Sequence, residues 1–147
     1  MPKDILFFVT WKTRGAIPVI DESTADELVR LLPELAQTER ARILELAVVA
    51  THVHAVMRTS VRPDIPRLMQ RLKGASARLL NRVLEKEPPL HWDPGYDVRT
   101  VGRRSLPAVR RYFDRQDTKH RLRWVRRYSG SADSDALDAS EALSAPG

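Results

Sequence analysis

The stretch RILELAVVATHVHAVMRT, residues 42–59, constrains the fold more than any other part of the chain. Its β-branched residues disfavour a helix. Its length exceeds the 3–10 residues that one strand usually takes, roughly twofold. Two strands turning back on each other near Ala50–Thr51 satisfy both conditions. Two strands are therefore expected in place of one.

The flanking segments supply the other elements. ILFFVTW (5–11) is short, apolar and aromatic, a buried strand that TRGAIP ends with Gly15 and Pro18. DESTADELVRLLPELAQTE (21–39) reads as a helix, with acids and hydroxyls at its start and Ala25, Leu28, Leu32 and Leu35 at helical spacing. Pro33 inside it should cost about 3 kcal/mol or kink it. In PDIPRLMQRLKGASARLLNRVLEKE (63–87), Asp64 is the expected N-cap and Pro66 lies in the first turn. Leu68, Met69, Leu72, Leu79, Leu80 and Val83 form its apolar stripe. YDVRTVG (96–102) is a further short strand, and SLPAVRRYFDRQ (105–116) opens as a helix with Ser105 and Pro107.

The order β-α-β-β-α-β-α fits an α+β, ferredoxin-like antiparallel sheet with helices packed on one face and a C-terminal helix after them. At 147 residues the chain is most simply one domain, assigned to residues 1–128. The acidic, low-complexity segment 129–147 is expected to be a disordered tail.

Charge narrows the partner. Residues 129–147 hold four acids and no base, so residues 1–128 carry 25 bases against 15 acids, a net +10. Arginines crowd the segment from Arg99 onward, a density suited to a polyanion such as nucleic acid. The absence of cysteine excludes disulfides and thiolate metal sites. No apolar run is long enough to span a membrane and no signal peptide is evident, so a cytoplasmic location is expected.

Four groups carry possible chemistry. His52 and His54, two apart on a strand, would share one face and suit a single metal ion, or be a pair of exposed strand histidines. Tyr112 and Gln116 lie one helical turn apart, and Arg110, Arg111 and Arg115 surround them, where they would hold a DNA backbone; the tyrosine is a nucleophile or a half-buried packing residue. A free phenol, with a pKa near 10, attacks poorly at neutral pH without such help. Trp92 and Tyr96 would stack on bases or pin a loop. Arg71 and Lys73, in RLKGAS, would approach a phosphate or stay solvated.

Taken in order, FFVTWKTRG, HVH, RLKGAS, WDPGYDVRTVG and VRRYFDRQ resemble the single-tyrosine HUH transposases, which include small bacterial insertion-sequence enzymes and REP-associated tyrosine transposases. The resemblance spans about residues 4–120. It implies that His52, His54 and Gln116 hold a divalent metal, Mg²⁺ or Mn²⁺. It also implies that Tyr112 attacks single-stranded DNA, forming a 5′-phosphotyrosine and releasing a 3′-OH. The implied partners are hairpin DNA and a second copy of the chain in a homodimer, in which the tyrosine helix can complete the partner's histidine site. One departure is Thr51, which stands before the histidine pair where the family often has Asp or Asn. Alternative readings are a domesticated relative that processes REP hairpins, and a non-catalytic single-stranded nucleic-acid binding module. A zinc hydrolase would need a further carboxylate or histidine at ligand spacing.

Overall fold

The computed structural model describes residues 4–60, 62–115 and 125–129. Strands β1 (Ile5–Lys12), β2 (Ala41–Val49), β3 (His52–Thr59), β4 (Asp97–Val101) and β5 (Val125–Ser129) form one antiparallel sheet in the order β4-β1-β3-β2-β5. Three α-helices accompany it: α1 (Glu22–Thr38), α2 (Ile65–Leu84) and α3 (Leu106–Asp114). The long apolar run does divide into β2 and β3, with Ala50 and Thr51 at the turn. None of the helices among the described residues is long and apolar enough to cross a membrane.

Strand alternation creates two unequal layers. Phe7, Val9 and Trp11 of β1, with Val53, Ala55 and Met57 of β3, face α1 and α2 and make the larger core. Leu6, Leu44, Ala47 and Val56 face the other way, where Phe113 of α3 covers them. Helices α1 and α2 share one face as expected. Helix α3 lies on the opposite one, across the sheet.

Helix α1 runs unbroken through Pro33. The hydrogen bond that Pro33, without an N–H, cannot donate to the preceding turn is offset by the burial of Leu28, Leu31, Leu32, Leu35 and Ala36 along one side. Both long helices begin on an aspartate: Asp21 accepts from the Thr24 amide at 2.9 Å and Asp64 from the Arg67 amide at 3.1 Å. The apolar stripe of α2 includes Leu68, Met69, Leu72 and Leu80, but Val83 is exposed. Leu84, one residue further on, packs against the core in its place.

Strand β5 is absent from the sequence reading. Its arginines hide the period-2 signal, as charge often does on an edge strand. It ends at Ser129, so the strand uses the first residue of the expected tail; residues 130–147 lie outside the described ones.

The Asp21 cap yields a stability prediction. Burial alone would raise its carboxyl, but hydrogen bonds from Thr24 and Ser23 and the charge of Lys86 outweigh that and hold it below 3.8. A depressed folded pKa stabilises the fold above the ordinary carboxylate value, and that contribution vanishes as the pH falls through the folded value. Asp21→Ala is expected to cost about 1 kcal/mol near neutral pH. Urea titrations of both proteins should show the difference shrinking in acid; a constant gap would show that the charge is irrelevant.

Candidate active site

Strand β3 sets the site. His52 and His54 project from the same face, as alternation requires, with ring centroids 4.6 Å apart. Each imidazole is held by a threonine. Thr10 Oγ1, on the facing residue of β1, lies 2.9 Å from His54 Nδ1. Thr51 Oγ1 lies 2.9 Å from His52 Nδ1. Thr51, where the family often has Asp or Asn, thus still offers the ring of His52 a hydrogen-bonding partner. If each Nδ1–H donates to its threonine, Nε2 would be the nitrogen through which either ring could hold a metal.

Helix α3 brings Tyr112 over the same face. Its ring centroid lies 5.9 Å from that of His54 and 5.9 Å from that of Phe8. Phe113, wholly buried, locks the helix down against Phe8 and the sheet. The tyrosine and the histidine pair, sixty residues apart in sequence for His52 and Tyr112, thus meet within one chain. Gln116, the remaining expected ligand, lies outside the described residues. Among the described residues, no group of three or more His, Cys, Asp or Glu is placed to hold a metal. Of the three expected ligands, the described residues include the two imidazoles. They fit a divalent ion, and suit Mn²⁺ better than the harder Mg²⁺.

The other expected contacts separate. Trp92 is buried, edge-on to Trp11 at 5.8 Å, and its indole N–H donates to Ser76 Oγ. It pins the 90–96 loop and presents no face to a base. Lys73 donates to the carbonyls of Asp93 (2.7 Å) and Gly95 (2.8 Å), fastening that same loop. Desolvation lowers its pKa, with Asp93 opposing the shift. Arg71 is exposed on α2, separated from Tyr112 by the sheet. Arg110 is turned inward onto the buried carboxylate of Glu45. Arg111 and Arg115 are exposed beside Tyr112. Tyr96 lines an open cleft of about 280 Å³ with Thr10, Lys12 and Asp97.

Part of the arginine excess is structural. Arg103 pairs with Asp4, Arg126 with Glu22 and Asp26, and Arg127 with Glu45 and Asp114. The residues that the sequence reading missed are Thr10, Lys12 and Glu45. Thr10 and Lys12 were detectable in principle, because Phe8, Thr10 and Lys12 alternate with the core residues Phe7, Val9 and Trp11. Lys12 faces His52 across the strands and is largely exposed, with the Asp93 carboxylate 4.0 Å from its ammonium.

Known proteins share much of this sequence and its fold. The sequence family described as Transposase IS200 like matches residues 4–116. The ISDra2 transposase TnpA of Deinococcus radiodurans is 26% identical over 121 residues, which cover 77% of this chain and 84% of that protein. A crystal structure of a D. radiodurans R1 protein assigned to the transposases superposes with a TM-score of 0.62 at 25% identity, covering 78% of this chain and 92% of that one. A REP-associated tyrosine transposase bound to a REP hairpin shares the fold, with a TM-score of 0.60 at 11% identity, covering 82% of this chain and 70% of that one.

Proposed function

The chain belongs to the IS200-like transposases, and on that premise we propose that it cuts and rejoins single-stranded DNA at hairpins, with Tyr112 as nucleophile. The observation that carries this reading is the meeting of Tyr112 with His54 and its partner His52 on one face of a single chain. The Tyr112 oxygen attacks the scissile phosphorus, the P–O3′ bond breaks, and the phenolic proton ends on the released 3′-OH. The product is a 5′-phosphotyrosine, and attack by a 3′-OH reverses the step. Energy is conserved in the phosphodiester, so no nucleotide triphosphate is needed.

His52, His54 and Gln116 would hold a divalent ion, Mg²⁺ or Mn²⁺. Such an ion supplies Lewis-acid polarisation of the phosphate. Thr10 and Thr51 keep the imidazoles in the ligating tautomer. Lys12, Arg111 and Arg115 provide exposed positive charge for the DNA backbone. Hairpin recognition is supported by the fold shared with the REP-hairpin complex. In a homodimer, each copy would bring its own Tyr112 and histidine pair together.

Incubation with single-stranded hairpin DNA and Mn²⁺ tests this directly. A protein–DNA adduct that survives a denaturing gel and maps to Tyr112 is expected. Hairpin binding without any adduct would favour a non-catalytic binding module instead.

A further inference from the structure

We propose that Glu45 is a positioning residue that latches α3 onto its own sheet, so that Tyr112 addresses the histidines of the same chain. The proposal rests on the assignment of Tyr112 as nucleophile and adds what holds it there.

Glu45 is fully buried, an unusual place for a carboxylate unless it is paired. Its direction comes from a register shift in β2. Ile43 pairs with Met57, but Glu45 pairs with Val56, so one extra residue is accommodated between them. Without that bulge, alternation would turn Glu45 into the core beneath α1 and α2. With it, Leu44 and Glu45 both face the histidine side, where α3 lies.

Three groups converge on the carboxylate. Arg127 Nη2 donates to Oε1 at 2.6 Å, Arg110 Nε donates to Oε2 at 3.2 Å, and Ser129 Oγ donates to Oε2 at 2.8 Å. Arg110 lies two residues before Tyr112. Arg127 also grips Asp114, two residues after it. The helix is therefore held on both sides of the tyrosine, from β2 directly and through β5. This matters because α3 has nine residues and only Phe113 is wholly buried in it. So short a helix has little apolar area to fix its position unaided.

The test uses Glu45→Gln, which keeps volume and removes charge. Hydrogen exchange is expected to accelerate in α3 relative to β1 and β3. Single-turnover adduct formation at saturating hairpin DNA should slow by about 10- to 100-fold, since small misplacements of a reacting group have effects of that order. Hairpin affinity should change little. A mixing experiment separates latching from general damage. His52→Ala chains serve as tyrosine donors and Tyr112→Phe chains as histidine donors. Adduct on the donor should rise when the donor also carries Glu45→Gln, because a released helix can reach another chain.

Unchanged α3 exchange, an unchanged adduct rate, or a slower rate with no gain in the mixture would each overturn the latch. If Glu45→Gln fails to fold, Arg110→Gln carries the same readouts, because it leaves Glu45 paired with Arg127. If the wild-type chain forms no adduct, the nucleophile assignment fails, and exchange in α3 still decides the latch.

Discussion

Tyr112→Phe is expected to eliminate the covalent protein–DNA adduct while leaving hairpin binding and thermal stability essentially intact. The substitution deletes one oxygen and keeps the ring that packs against Phe8, His54 and Phe113. On the proposed reading only the nucleophile is lost, and the adduct with it. Denaturing gels report the adduct, and filter binding and a melting curve report the rest. An adduct persisting in this variant would sink the assignment. Loss of adduct together with loss of binding would show that the phenol serves recognition.

His54→Ala should be almost as damaging, by a different route. It removes one of the two imidazoles and opens space beside Phe8 and Tyr112. Mn²⁺ binding, followed by calorimetry, should disappear, and the metal-dependent adduct with it. Thr10→Val makes a graded companion. It keeps the side-chain volume and deletes the hydroxyl 2.9 Å from His54 Nδ1. Loss of such an orienting partner typically costs about 10–100-fold in metal affinity or activity. If Thr10→Val matched the wild type in both Mn²⁺ affinity and adduct rate, the threonine would be a packing residue and not an orienting one.

Much of this site was legible because short-range rules govern it. Two histidines at i and i+2 on a β-branched run share a face whatever surrounds them, and so do His52 and His54 here. The caps at Asp21 and Asp64 are local in the same sense. The errors fell where a residue's fate depends on distant neighbours. Trp92 looks like a stacking platform until Trp11 and Ser76 enclose it. Lys73 looks like a phosphate contact until the 93–95 carbonyls take its ammonium. Arg110 reads as a DNA contact because nothing nearby in sequence announces a buried carboxylate at position 45.

By itself, the sequence determined the hairpin at 42–59, the two long helices, the histidine pair and the order of motifs that places the chain in its family. These depend on periodicity, capping and spacing, which are properties of neighbouring residues. Only the tertiary structure decided that α3 crosses to the histidine face, that Thr10 and Thr51 orient the imidazoles, and that Glu45 turns toward Arg110 and Arg127. The physical reason is register. A single extra residue between Ile43 and Glu45 reverses which layer a buried charge enters, and pairing between strands dozens of residues apart sets where that residue goes.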